Sequence, residues 1–299
     1  GEPVSALTEK VFLVTPRWSP DGRQLLVSGQ GGIGLSLIEL ADRSRSEIDP
    51  LFVGEALFSP DGKTLALRWA DGLQQEYAVG NRQLRPAIAP PRPAPELPEP
   101  ANPGSFVPTQ DPLQLLGSPP AFVAGELLFD SPYLRVWFDP YRGTVEAETT
   151  NGTRQVADAG AWGVQVSVQG RIAYCLGHLP DASLHLYDLQ HGHRDLGRGA
   201  QPAWSSDGSQ LVFTLAEWAP EGGPAPQQAE LYLHDLPLDR TVRLTATPEV
   251  AEMQPAFSPR GDRLAFADWR SGQVLVARWH GAPPPGEQVE QIRRSAGSR

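Results

Sequence analysis

Arg17-Trp-Ser-Pro-Asp-Gly-Arg-Gln-Leu-Leu-Val27, Leu57-Phe-Ser-Pro-Asp-Gly-Lys-Thr-Leu-Ala-Leu67, Ala203-Trp-Ser-Ser-Asp-Gly-Ser-Gln-Leu-Val-Phe213 and Ala256-Phe-Ser-Pro-Arg-Gly-Asp-Arg-Leu-Ala-Phe266 repeat one unit four times along the chain. Each has an aromatic residue, a four-residue turn and an alternating apolar run. Proline presets φ at its turn position, aspartate accepts local backbone hydrogen bonds, and glycine supplies the positive φ from which the next strand departs. Asp21, Gly22, Asp61, Gly62, Asp207, Gly208 and Gly261 are therefore read as structural turn residues. Leu25 and Val27, and their counterparts in the other copies, alternate at period two, as in a strand with one face on a core. The intervening residues are small or apolar too, which predicts cover on both faces.

A second repeat follows the first. Leu35-Ser-Leu-Ile-Glu-Leu40, Leu184-His-Leu-Tyr-Asp-Leu189 and Leu231-Tyr-Leu-His-Asp-Leu236 share Leu-x-Leu-x-acid-Leu, and Val274-Leu-Val-Ala-Arg-Trp279 keeps the apolar phase. These are third strands, and a further extended piece such as Thr241–Thr245 completes four strands per unit. Two degenerate units, Ala121–Phe129 with a turn at Gly125 and Val164–Tyr174 with a turn at Gly170, lack the Asp-Gly turn. With Trp18, Phe58, Phe122, Val166, Trp204 and Phe257 as anchors the steps are 40, 64, 44, 38 and 53 residues. The long step contains Pro86–Pro112, where 10 prolines in 27 residues cannot donate ladder hydrogen bonds, so it reads as an inserted loop of polyproline II character. Units of about 40 residues with four strands each are the period of a β-propeller. The expected fold is all-β: one domain over 1–299, a six-bladed β-propeller of four-stranded antiparallel blades. Its N-terminal and C-terminal segments are expected to close the ring, Val4–Val14 completing the last blade, with a polar tail over 288–299.

The pattern Pro-x-[Trp/Phe]-Ser-Pro-Asp-Gly-x-x-Leu resembles the repeat of TolB-type propellers, and is similar to the propeller of prolyl oligopeptidases. It is carried at Trp18, Phe58, Trp204 and Phe257, with Ser206 in place of proline and Arg260 in place of aspartate. The resemblance implies an extracytoplasmic interaction scaffold, periplasmic or at the cell surface, that works within a larger envelope complex.

Composition narrows the partners. With 25 Lys+Arg against 35 Asp+Glu the net charge is -10, and no basic run offers a footprint for nucleic acid or an anionic membrane surface. No stretch is long and apolar enough for a spanning helix. Cys175 is the one cysteine, so neither an intrachain disulfide nor a cysteine-based zinc site can form, and it reads as a small buried hydrophobe. The chain begins with Gly1, which predicts a removed leader or an upstream segment.

Searching for chemistry yields little. There is no G-x-S-x-G, S-x-x-K or H-E-x-x-H. His191-Gly-His193 reads as a solvated turn, His185 and His234 as equivalent third-strand positions, and Arg260-Gly-Asp262 as a repeat turn. No catalytic residue, metal or cofactor is assigned, and the expectation is a protein that is not an enzyme.

Insertions and aromatics are more informative. In a propeller the loops between second and third strands and those between blades emerge on one face. Pro86–Pro112 and Glu217–Gln228 both belong to it, and Trp69, Asp71, Trp218, Trp269 and Arg270 follow second strands onto the same rim. These five are the candidate partner-binding residues, since tryptophans on a rim favour a covering partner. The competing expectation for the tryptophans is packing under their own loops. Two rival functions are an ion or small ligand in the channel with metal-dependent, lactonase-like hydrolysis by acids such as Asp71, Asp181 and Asp268, and a sensor domain of a longer chain.

Overall fold

A computed structural model describes residues 13–29, 33–69, 73–86, 126–139, 142–218 and 226–281. Blade 1 comprises β1 (Leu13–Trp18), β2 (Gln24–Gly29), β3 (Leu35–Glu39) and β4 (Arg45–Asp49). Blade 2 is β5 (Gly54–Phe58), β6 (Thr64–Trp69), β7 (Gln74–Ala78) and β8 (Gln83–Pro86), and blade 3 is β9 (Glu126–Asp130), β10 (Leu134–Asp139), β11 (Thr144–Thr149) and β12 (Gly152–Ala157). Blade 4 is β13 (Trp162–Val166), β14 (Ile172–Leu176), β15 (Ser183–Asp188) and β16 (Gly192–Arg198), and blade 5 is β17 (Ala200–Trp204), β18 (Gln210–Glu217), β19 (Gln228–Asp235) and β20 (Arg240–Arg243). Blade 6 shows three strands, β21 (Glu252–Phe257), β22 (Arg263–Asp268) and β23 (Gln273–Arg278). Within each sheet consecutive strands pair in order and antiparallel, so the fold is an all-β six-bladed propeller.

The expected clasp of the two termini lies mostly outside the described residues. What joins blade 6 to blade 1 within them is packing: Leu25, Val27 and Ile38 form one cluster with Ala265, Val274 and Val276. Trp18 also reaches across, its indole N–H donating to Ala256 O at 3.0 Å. Trp204 does the same from blade 5 to Gln165 O of blade 4 at 3.3 Å. The tryptophans among the repeat's anchors thus tie an inner strand to the blade before it.

One reading of the sequence is corrected. The pair of strands expected around Gly125 is displaced: Glu126–Asp130 is the first strand of blade 3, not the second, and Ala121–Gly125 lies outside the described residues. The turn that follows is Ser131-Pro132-Tyr133, a shortened form of the repeat turn. Serine, rather than Asp-Gly, is what all six turns share. Its Oγ accepts the N–H of the residue that opens or immediately precedes the second strand: Gln24 on Ser19, Thr64 on Ser59, Leu134 on Ser131, Arg171 on Ser167, Gln210 on Ser205 and Arg263 on Ser258, all at 2.9–3.1 Å. In three blades the hydroxyl donates onward to Asp21, Asp61 or Asp207, which holds those carboxyls below the usual range. Blade 6 has Arg260 in the aspartate position, and Asp262 two residues later accepts the Ser258 hydroxyl instead, at 2.9 Å. Ser167→Ala in blade 4 removes a buried acceptor of two backbone N–H groups. It is expected to cost about 1–2 kcal/mol, read from a urea midpoint.

The six joints are unequal. Apolar clusters bridge blades 1 and 2, 3 and 4, 4 and 5, 5 and 6, and 6 and 1. Among the described residues no cluster bridges blades 2 and 3. The turns agree with this pattern, because each turn glycine faces the preceding blade so closely that a side chain in its place would meet it: Pro259 at Gly22, Pro20 at Gly62, Leu134 at Gly170, Gln169 at Gly208 and Ser206 at Gly261. Blade 3's shortened turn has no such glycine. Burial follows suit. The second strands β2, β14, β18 and β22 are buried on both faces, as the sequence predicted, whereas β6 and β10 alternate buried and open residues and cover one face only.

Candidate functional site

The rim is built where second strands end. Trp69, the last residue of β6, packs on the cluster shared by blades 1 and 2, its ring edge-on to Phe52 with centroids 4.8 Å apart and its N–H donating to Gln75 Oε1 at 2.9 Å. Its indole is engaged by Phe52 and Gln75, while its own loop at 70–72 lies outside the described residues. Trp218 and Trp269 lie against one shared cluster of Ala216, Ala229, Ala251 and Met253 at the joint of blades 5 and 6. Arg270 beside them donates its guanidinium to Pro248 O and Gln227 O, and its backbone N–H to Asp268 Oδ1 at 3.0 Å. Of the five candidate residues, the structure thus gathers Trp218, Trp269 and Arg270, and places Trp69 in a different cluster, shared by blades 1 and 2. Asp71 lies outside the described residues, as does Pro86–Pro112 beyond its first residue. The turn residues Asp21, Gly22, Asp61, Gly62, Asp207, Gly208 and Gly261 sit in the turns joining first and second strands, at the opposite ends of the second strands from this rim.

The described acids of the hydrolytic reading do not converge. Asp181 is exposed near the Arg198 guanidinium at 4.0 Å. Asp268 is buried and organises the rim backbone, accepting from Ala251 N at 3.1 Å, from Arg270 N and from the Ser271 hydroxyl. The histidines are likewise engaged separately. His185 contacts Ser183 Oγ at 2.8 Å and stacks on Tyr174, His191 faces Asp188, His193 faces the Tyr174 hydroxyl, and His234 is buried against Thr241 Oγ1. Among the described residues no group of three or more His, Cys, Asp or Glu is placed to hold a metal ion. Cys175 is fully buried in the joint of blades 4 and 5, and burial pushes its thiol up to about 12. Native protein is expected to leave Cys175 unlabelled by iodoacetamide at pH 8, with full labelling on unfolding.

Two features escaped the sequence reading. The first lines the inner strands, where Thr15, Gln201 and Gln254 adopt positive φ of 50–55° at bulges three residues before the anchor aromatic. They form a relay around the ring: Gln254 N donates to Gln201 Oε1 at 3.0 Å, and Thr15 N to Gln254 Oε1 at 2.7 Å. Gly163 takes the equivalent place in blade 4 with φ of 59°. The repeated Gln-Pro-Ala-aromatic of blades 5 and 6 was the available signal. The second is a buried acidic pair, Glu230 and Glu252, beneath the Trp218 and Trp269 rim. Its members lie on different blades, and no local pattern announces them.

The sequence matches no protein-family model and no curated protein significantly. Solved structures do match. A structural-genomics protein of unknown function from Bacteroides thetaiotaomicron superposes with a TM-score of 0.55 at 8% identity, over 93% of this chain and 72% of that one. A chain of the mitotic checkpoint complex gives 0.51 at 12% identity, over 94% and 91%. A TolB-type protein from Agrobacterium tumefaciens gives 0.35 at 17% identity, over 85% and 69%. What the first two share with the chain is the fold alone.

Proposed function

We propose that the chain is a noncatalytic protein-binding propeller, engaging its partner through the rim of blades 5 and 6 and acting outside the cytoplasm as part of an envelope assembly. The observation that carries this reading is the grouping of Trp218, Trp269 and Arg270 at the foot of the β18–β19 insertion. Both indoles are half-buried, so each keeps an accessible face beside a guanidinium. Tryptophan and arginine are the residue types that dominate interface energetics when a partner desolvates them. The fold supports the reading too, since propellers commonly serve as interaction scaffolds. The TolB-like repeat is what points to the envelope.

The test is affinity capture from an envelope fraction, with the Trp218→Ala/Trp269→Ala variant beside the parent and Trp69→Ala as the control. The double variant is expected to lose its partner at least tenfold while remaining folded. Trp69→Ala should retain the partner and lose thermal stability. Equal capture by all three proteins would remove the rim from consideration.

A further inference from the structure

Glu230 lies near the start of β19 in blade 5, and Glu252 opens β21 in blade 6. The linker between the blades, residues 244–251, runs back along β19. Leu244 N donates to Leu231 O at 2.8 Å, Leu231 N donates to Thr245 Oγ1 at 2.8 Å, and Ala251 bridges Ala229 in parallel. That parallel bridge sets the next residues, Glu230 and Glu252, side by side at neighbouring-strand spacing. Both are more than nine-tenths buried.

Each carboxyl has one oxygen engaged and one without a partner. Glu230 Oε1 accepts from Arg243 at 2.5 Å, and Glu252 Oε1 accepts from the Thr247 hydroxyl. Glu230 Oε2 and Glu252 Oε2 are both buried with no hydrogen-bond partner. Two ionised carboxylates cannot stay adjacent and dry without a positive charge between them. The surrounding charges set how much is needed. Arg243 offsets Glu230, and Asp268, cross-strand from Glu252, is held by the backbone N–H groups of Ala251 and Arg270 and by the Ser271 hydroxyl. Glu217 and Glu249 on the neighbouring segments are exposed, and Arg198 donates to Ala216 O and Pro180 O. Among the described residues no cation is paired with Glu252, and a single proton neutralises its carboxyl.

We propose that Glu230 and Glu252 share one proton across the joint of blades 5 and 6, and that this proton fastens the 244–251 linker and the rim above it in a pH-dependent way. In the protonated state Glu252 Oε2–H donates to Glu230 Oε2, which satisfies both orphan oxygens with one hydrogen bond. Loss of the proton leaves two carboxylates repelling each other beneath Trp218 and Trp269, and the linker loosens from β19. Burial and the neighbouring Glu230 carboxylate together push the Glu252 carboxyl up to about 8, against the opposing Thr247 hydrogen bond. The change therefore falls in mildly alkaline solution.

The experiment is hydrogen exchange of residues 244–254, expressed as protection factors from pH 6 to 9.5, with β14 as internal reference. In the parent, protection of this segment is expected to fall at least tenfold with a midpoint near 8 while β14 stays constant. Glu252→Gln, which mimics the protonated carboxyl, should keep the protection and show no transition. Glu230→Gln should lower the midpoint by half a pH unit or more, a readout that survives if Glu252→Gln fails to fold. A parent without the transition, a Glu252→Gln variant that keeps it, or an unmoved midpoint in Glu230→Gln would each overturn the proposal. So would restoration of protection at pH 9 by millimolar Ca2+, which would make the shared charge a metal ion.

Discussion

Ala265→Asp should unfold the protein, and Ala66→Asp should scarcely disturb it, although the two alanines occupy the same place in the repeat. Ala265 is the third residue of β22, fully buried between blades 6 and 1 in the cluster with Leu25 and Val27. An aspartate there has no cation or donor within the cluster, and burying an unpaired carboxylate costs several kcal/mol even after it protonates. That is a large share of the 5–15 kcal/mol available to a typical domain. Ala66 is the third residue of β6 and is exposed, and among the described residues the blade 2 face it belongs to meets no apolar cluster. A charge there stays hydrated, and the expected change is within about 0.5 kcal/mol. Thermal and urea denaturation of the two variants provide the measurement. Similar losses in both would mean that the joint of blades 2 and 3 is as tightly packed as the other five.

The second large effect is a dependence of stability on pH that Glu252→Gln abolishes. Below its ordinary value of 4.5 the Glu252 carboxyl is protonated in both the folded and the unfolded chain and makes no difference. Between 4.5 and about 8 the unfolded chain releases a proton that the folded chain keeps, so stability falls as pH rises. Above about 8 the loss is complete. For a shift of this size it is on the order of 3 to 5 kcal/mol. Two effects run the other way. The lowered carboxyls of Asp21, Asp188 and Asp207 contribute stability that is lost as pH falls below the ordinary aspartate range. His234, depressed by burial, opposes folding below its ordinary 6.5. The difference between Glu252→Gln and the parent isolates the glutamate. The variant is expected to match the parent near pH 4.5 and to exceed it increasingly up to pH 8, measured by urea unfolding at each pH.

Four blades were legible in the sequence because their turns spell out their own geometry. Ser-Pro-Asp-Gly states where one strand ends and the next begins, and the period-two leucines after it state which face is buried. Blade 3 was misframed because its turn is two residues shorter than the others. Leu134 bonds back to Ser131 three residues earlier, where Gln24 reaches back five to Ser19. A reader tuned to Asp-Gly is drawn instead to Phe122 and Gly125. The serine hydroxyl, the element common to all six turns, was hidden by its more conspicuous neighbours.

The rim was legible in part, since a tryptophan directly after a second strand must lie at that strand's end. What each indole meets there depends on other parts of the chain. Phe52, which takes up Trp69, comes from the connection between blades 1 and 2, and Ala251 and Met253, which support Trp218 and Trp269, come from blade 6. The pairing of Glu230 with Glu252 was not legible, because nothing within ten residues of either foretells a parallel bridge between a third strand and the segment leading into the next blade's inner strand.

The uneven joints have a mechanical consequence. Six twisted sheets set side by side do not sum to a full circle of their own accord, so a ring of blades stores its misfit as shear between neighbours. Five of the joints here are stiffened by buried side chains, and each of the five also by hydrogen bonds or turn contacts, in a run from blade 3 through blades 4, 5, 6 and 1 to blade 2. Among the described residues the joint between β6 and β10 has no such tie, so the ring is expected to yield there first, as a split washer yields at its cut, while the rim of blades 5 and 6 keeps its shape.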